Sequence, residues 1–340
     1  MTKEVVIIGG GIGGIYVLRN LLAKKDVVEE GLHLTLIKRE KSGWVSTCGL
    51  PFALRGWYEI DRTEINKPQF FLDQGVDFRT ETEVTRINSE ENSVTLKTGE
   101  EIKYDYLVIA TGRKPAVPAI VEKTKLEGVY TFNDEDDARK IEAAMNLESV
   151  KNAFVYGHGI GGIQIASAFS ARGLKTTVFG RPPSLIPTRL DPDMGDMLKE
   201  WMEKKGVRFI LDRKKGITGI KGDGGRVKSV VMGEEEIPAD IVIISMGKRP
   251  NVSLAKEAGI EIGVSRGIMV DSAMHVKKGR GYINNVYSVG DCVEVIDEIT
   301  HRPRLNQAAS TAVVQAKVIA DNIFSDIRGQ LELYSSYEPS

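Results

Sequence analysis

Cysteine and histidine are scarce in this chain of 340 residues: two cysteines, Cys48 and Cys292, and four histidines, His33, His158, His275 and His301. Two cysteines cannot build a disulfide framework, and the histidines fall at no ligand spacing, so a metal centre is not expected. Charge of one sign is also missing, because Lys plus Arg number 46 against 47 for Asp plus Glu. Without a basic block there is no surface to track phosphates, and nucleic acid is excluded as an expected partner. No uninterrupted apolar run approaches the roughly 20 residues that span a bilayer. The opening Met1-Thr2-Lys3-Glu4 leads straight into Val5-Val6-Ile7-Ile8, an apolar run too short for a signal peptide. The expected location is the cytoplasm.

What the chain does contain is glycine, 35 residues of it, placed at strand-to-helix turns. Val5-Val6-Ile7-Ile8 has the short β-branched pattern of a buried parallel strand. Gly9-Gly10-Gly11-Ile12-Gly13-Gly14 follows, and then Ile15, Val17, Leu18, Leu21 and Leu22 repeat at helical spacing. This is G-x-G-x-x-G between a strand and a helix. The first glycine permits the tight turn, the second lets the backbone approach a pyrophosphate, and the third permits close helix packing. Residues 152–179 repeat the arrangement around Gly157-His158-Gly159-Ile160-Gly161-Gly162. Glycine-rich turns also occur without a ligand, but two in this setting predict two dinucleotide sites. One bound permanently and one exchanging would pass hydride between a nicotinamide and a flavin.

Between and after these units lie strand-like stretches ending at Ala110-Thr111-Gly112, at Ser245-Met246-Gly247 and at Val289-Gly290-Asp291. Turn signals stand at residues 89–92 and 98–100, a final helix is expected over about 308–324, and residues 334–340 read as loosely held. The predicted class is α/β with two Rossmann-like domains. A first dinucleotide domain over 1–113 and 248–330 would be interrupted by a second over 114–247, followed by a tail over 331–340.

The order and spacing of Gly9 to Gly14, Ala110-Thr111-Gly112, Gly157 to Gly162 and Val289-Gly290-Asp291 resemble the pyridine nucleotide-disulfide oxidoreductase superfamily. The resemblance implies that Gly9, Gly11, Gly14, Thr111, Gly112, Gly290 and Asp291 hold FAD, and that Gly157, Gly159 and Gly162 hold NADH or NADPH. A helix N-cap is the alternative role for Asp291. Ser46-Thr47-Cys48-Gly49-Leu50-Pro51-Phe52 is similar to the segment of coenzyme A disulfide reductases, NADH oxidases and NADH peroxidases in which one cysteine sits over the flavin. Cys48 has no neighbouring cysteine. Its expected role is therefore a mixed disulfide with a substrate thiol, or a sulfenic acid cycle. The alternative is a buried structural cysteine, the role given to Cys292.

The expected activity is transfer of electrons from NAD(P)H through FAD to Cys48 and on to a small disulfide, a persulfide or polysulfide, or oxygen or peroxide. A reductase for a rubredoxin- or ferredoxin-type carrier, and a flavin-bearing subunit of a larger complex, are the alternatives. Departures from the resemblance are local. Lys38 occupies the position of the acid for the adenosine ribose, which shifts the expected role to Glu40. Gly180-Arg181 stands at the equivalent place of the second unit, and an arginine there suits the 2'-phosphate of NADPH; a solvated surface arginine is the alternative. Gln164 replaces the glutamate that many relatives carry beside the nicotinamide. Relatives also continue into an interface domain that is expected to be absent here, so the expectation is a truncated or two-domain form, or a homodimer or partner subunit in place of that part. His158, inside the second glycine loop, is expected to be an ordinary turn residue, with contact to a nicotinamide cofactor as the alternative, and Trp44 and Trp57 flank the cysteine segment as flavin shields or simple core-edge aromatics.

Overall fold

The computed structural model describes residues 2–24, 31–212, 214, 216–330 and 334–338. Two compact units divide the chain. Met1–Val45, Glu64–Lys114 and Arg249–Ser340 form the first, and Ser46–Thr63 with Pro115–Lys248 forms the second.

The first unit is built on a six-stranded sheet in the order His275–Lys278, Gly281–Ser288, Tyr106–Ile109, Lys3–Ile8, Leu32–Ile37, Asp77–Arg79. All neighbours are parallel except the first pair. Val5, Val6 and Ile7 are fully buried, as is Leu107-Val108-Ile109 beside them. Strands covered on both faces need side chains that are apolar at every position, which explains runs without alternation. The helices Ile12–Leu22 and Ala309–Ile327 pack together over this sheet. Ala312, Ala316, Ile319 and Ile323 recur at helical spacing on the buried face of the longer one, and the two alanines let the backbones approach. The expected turns fall where the three-stranded meander Val84–Asn88, Ser93–Leu96, Glu101–Lys103 reverses. Asn88 Oδ1 accepts from the amides of Glu90 and Glu91, both at 3.2 Å, in the first turn.

The second unit carries a five-stranded, all-parallel sheet in the order Val129–Thr131, Ile241–Ile244, Asn152–Tyr156, Lys175–Gly180, Val207–Leu211. Helices Glu135–Met145 and Ile160–Ala171 belong to it. Asp134 caps the former, accepting from the Asp137 amide at 3.0 Å. Each unit is thus a Rossmann-like α/β fold built on a largely parallel sheet.

Two features depart from the sequence-based expectation. Residues 46–63, expected within one continuous first segment, join the second unit: Leu50 and Leu54 are buried on the helix Leu50–Leu54, which packs on Ile160–Ala171 and Glu135–Met145. Arg55 Nη1 donates to Ser167 Oγ at 2.6 Å, and Arg139 pairs with Asp61. The segment 334–338, expected to be loosely held, is pinned instead. The Ser335 amide donates to Asn322 Oδ1 at 2.7 Å, the Tyr337 amide donates to Ser272 O at 2.7 Å, and Tyr337 is buried. Residues 331–333 and 339–340 of the expected tail lie outside the described residues. No described helix is long and apolar enough to cross a membrane.

Candidate functional sites

Strand register makes the two glycine loops equivalent. Ile8 pairs with Ile37 in the first unit, and Tyr156 pairs with Phe179 in the second. The next residue in each case, Gly9 or Gly157, donates its amide to the carbonyl of Ile37 or Phe179 at 2.8 Å. Gly9 has φ +114°, and a Cβ added there would lie 2.2 Å from the Ala110 carbonyl oxygen. Gly157 has φ +127°, and its Cβ would lie 2.0 Å from Ser245 O. Each loop is closed by its last glycine: a Cβ on Gly14 would meet Gly9 O at 2.0 Å, and one on Gly162 would meet Gly157 O at 1.9 Å. Side chains are excluded at these four positions by backbone, which does not give way.

The middle glycines differ in kind. Gly11 and Gly159 are the N-caps of Ile12–Leu22 and Ile160–Ala171, and neither makes a side-chain cap. Neither helix carries an acid in its first turn. A Cβ on Gly11 or Gly159 would meet nothing within 4 Å. The first-turn amides of both helices therefore face open space, with the positive end of the helix dipole behind them. A diphosphate fits this cradle in each unit.

Beside the first loop, residues expected to hold FAD converge. Ser288 pairs with Ile109, and the Val289 amide donates to Ile109 O at 3.1 Å, which sets Gly290-Asp291 next to Ala110-Thr111-Gly112. Thr111 Oγ1 donates to Asn251 O at 2.6 Å, while the Asn251 amide donates to Gly112 O at 2.9 Å. Gly112 adopts φ +61° with open space at its Cβ position. The Gly290 amide donates to Gln315 Oε1 at 2.8 Å. Asp291 lies in the 3-10 turn Gly290–Cys292, and its carboxylate meets Arg113 Nε at 3.0 Å. It is not a helix N-cap; Ala308 has that place for the next helix. Sequence reading did not single out Arg113, Asn251 or Gln315, although Arg113 follows directly on Ala-Thr-Gly.

At the strand ends the two units differ. Lys38 follows Ile37 and is buried; its aliphatic stem covers Gly10, where a Cβ would lie 2.6 Å from Lys38 Cδ. Its Nζ donates to Gly43 O and stands 3.8 Å from Glu40 Oε2. Glu40 is half-buried and is turned toward that lysine. In the second unit Gly180 follows Phe179, and His158 from the glycine loop fills the space beside it. The ring is buried, its Nε2 has no hydrogen-bond partner among the described residues, and burial holds the imidazole below the ordinary histidine range. His158 is thus a packed side chain rather than the simple turn residue expected. Arg181 is exposed.

The two sulfurs are opposite in character. Cys292 is fully buried, with Sγ 3.3 Å from Val289 O, and burial pushes its thiol above the ordinary range. Cys48 is free and exposed, immediately before Gly49, the N-cap of Leu50–Leu54. Its backbone setting is well tied. The Gly49 amide donates to Ser46 O at 3.0 Å, Tyr58 Oη donates to Gly49 O at 2.9 Å, and the Ser46 amide donates to Thr63 O at 2.8 Å. Trp57 stacks on Phe52 with centroids 5.0 Å apart, whereas Trp44 is buried edge-on to Tyr16 in the first unit. An accessible sulfur on a tied loop suits thiol–disulfide exchange; a buried thiol does not.

Residues 3–314 match the family described as pyridine nucleotide-disulphide oxidoreductase. The NADH oxidase of Methanocaldococcus jannaschii is 33% identical over 324 residues, which cover 94% of this chain and 69% of that protein. The NAD(P)H coenzyme A polysulfide/persulfide reductase of Pyrococcus horikoshii is 33% identical over 307 residues, 89% of this chain and 65% of that protein. A solved structure, the NAD-dependent persulfide reductase of A. fulgidus, superposes with TM-score 0.86 at 28% identity, covering 99% of this chain and 60% of that one. The chain therefore spans about two thirds of the length of these curated relatives and three fifths of that structure.

Proposed function

The chain belongs to the pyridine nucleotide-disulphide oxidoreductase family, and from that premise we propose that it is an NAD(P)H-dependent flavoenzyme that uses Cys48 to reduce a persulfide, a polysulfide or a small disulfide. The observation that carries this choice of substrate is the exposed Cys48 thiol in a chain whose other cysteine is sealed in the core. The names of the Pyrococcus horikoshii and A. fulgidus relatives support sulfur acceptors, and that of the Methanocaldococcus jannaschii relative supports oxygen as a further acceptor.

In this reading Gly9, Gly11, Gly14, Thr111, Gly112, Gly290 and Asp291 hold FAD in the first unit, with Glu40 toward its adenosine ribose. Gly157, Gly159, Gly162 and Arg181 hold the nicotinamide dinucleotide in the second. The uncapped amides behind Gly11 and Gly159 bind diphosphate, and the carboxylate of Asp291, oriented by Arg113, accepts from flavin-side hydroxyls. The Cys48 thiolate attacks one sulfur of the substrate S–S bond, forming a mixed disulfide and releasing the other sulfur as a thiolate that takes up a proton. When bound, the flavin supplies the two electrons, taken from NAD(P)H as hydride, that return this mixed disulfide to two thiols. Gly49 and Tyr58 hold the backbone that presents the sulfur.

The test is an anaerobic titration. The protein should purify yellow, its flavin absorbance should bleach with one equivalent of NADPH or NADH, and a polysulfide or small disulfide should restore it. Folded protein that takes up no FAD would remove the proposal, and recovery with oxygen alone would replace the sulfur acceptor by the oxidase chemistry. A second expectation concerns Arg181, which none of the described ion pairs engages. Losing a hydrogen bond to a charged group costs about 1.5–3 kcal/mol, roughly ten- to a hundredfold. Arg181→Ala should raise the KM for NADPH by that factor and leave the KM for NADH nearly unchanged; equal effects on both would dismiss the 2'-phosphate contact.

A further inference from the structure

A dinucleotide fold that recognises the unphosphorylated ribose places a carboxylate at the C-terminal end of its second strand, where it accepts from the 2'-hydroxyl. In the second unit that position is Gly180, the residue after Phe179, which pairs with Tyr156 at the mouth of the glycine loop. No side chain can be added there as the chain stands. A Cβ on Gly180 would lie 2.2 Å from Nδ1, 2.5 Å from Cγ and 2.6 Å from Cε1 of His158. Nor is the ring free to swing away: only 7% of His158 is exposed, and its carbonyl accepts from the Ile186 amide at 3.1 Å. The first unit has the same contact in mirror image, with the glycine in the loop (Gly10) and the long side chain at the strand end (Lys38). Each unit fills this volume once, and the residue opposite has to be glycine.

We propose that His158 is the specificity-determining residue of the second unit. Its imidazole occupies the volume of the ribose-binding carboxylate, which removes recognition of the bare 2'-hydroxyl and keeps a negative charge away from the 2'-phosphate. The site is thereby committed to NADPH, with Arg181 as the neighbouring cation. This rests on the proposal that the second unit binds a nicotinamide dinucleotide.

The experiment measures dissociation constants of the flavin-containing protein for NADPH and NADH, by nucleotide fluorescence, together with melting temperatures. Wild type, His158→Gly, Gly180→Glu and the double variant are compared. His158→Gly recreates the Gly-Gly-Gly of the first loop and makes room. Gly180→Glu alone should lower the melting temperature and weaken both nucleotides tenfold or more. In the double variant the melting temperature should recover, and the NADH-to-NADPH preference should move a hundredfold or more toward NADH. If Gly180→Glu alone changed the preference as far as the double variant, or if the double variant left it unchanged, His158 would not be the determinant. Should Gly180→Glu fail to fold, Gly180→Ala serves: it should destabilise the wild-type background and be tolerated beside His158→Gly, and equal destabilisation in both backgrounds would overturn the coupling. Wild-type protein that binds neither nucleotide would instead remove the reading of the second unit, and this inference with it.

Discussion

Replacing Cys48 with serine is expected to lower turnover with a polysulfide or small disulfide by roughly three orders of magnitude or more, on the scale of losing a nucleophile outright, while flavin content and bleaching by NADPH survive. Serine preserves the shape of the side chain but supplies a hydroxyl that neither ionises near neutral pH nor forms a disulfide. The fold should not notice. Cys48 is exposed, and substitutions at exposed positions away from special contacts change stability by about 0.5 kcal/mol or less. Reoxidation of the reduced flavin by oxygen or an artificial dye should persist, because neither needs the sulfur. Cys292→Ser is the matched control: its sulfur is fully buried beside Val289 O and Ser288 Oγ, which can partner a hydroxyl, so turnover should stay nearly intact. The readout is steady-state turnover with each acceptor, beside an anaerobic flavin spectrum. Full sulfur turnover in Cys48→Ser would end the cysteine mechanism and leave direct electron transfer to a carrier protein in its place.

A methyl group added to either glycine loop should separate the two proposed cofactors. Gly9→Ala drives a Cβ to 2.2 Å from the Ala110 carbonyl at φ +114°, and Gly157→Ala drives one to 2.0 Å from Ser245 O at φ +127°. Backbone strain at such angles and overpacking against a rigid carbonyl each cost about 1–3 kcal/mol, or roughly thirty- to twenty-thousandfold together in an equilibrium constant. Gly9→Ala protein is expected to purify with little or no flavin. Gly157→Ala protein should purify yellow and be bleached by dithionite, yet resist bleaching by NADPH or NADH. Circular dichroism establishes that each variant is folded, and the flavin spectrum then reports which site is lost. Loss of flavin from Gly157→Ala with retention in Gly9→Ala would reverse the assignment of the two units.

Much of the architecture was legible because its causes are local. A glycine turn between a strand and a helix is written in consecutive residues, and fully apolar runs such as Ile241-Val242-Ile243-Ile244 announce strands buried on both faces. The isolated position of Cys48 was legible for the same reason. Less was legible where a side chain takes its partner from a distant segment. His158 looked like a turn residue, and nothing in its own neighbourhood indicated that its ring would close over Gly180. Lys38 was noticed as a misplaced base, but not as an apolar stem covering Gly10 with its ammonium on Gly43 O. The segment 334–338 was polar enough to suggest a loose end, and is held by amide hydrogen bonds to Asn322 and Ser272.

By itself, then, the order of residues determined where the strands, the glycine turns and the helices begin, since φ above zero, uncapped helix amides and unbroken apolar runs are demands that a few neighbouring residues meet or fail. Tertiary structure alone decided which side chains share a volume and which backbone each segment joins. Residues 46–63 fold onto the second unit because Leu50 and Leu54 find apolar cover on its helices and Arg55 and Asp61 find Ser167 and Arg139 there. His158 lies over Gly180 in one unit and the stem of Lys38 over Gly10 in the other because two chains of atoms cannot occupy one space, a constraint that exists only once the strands have set their register.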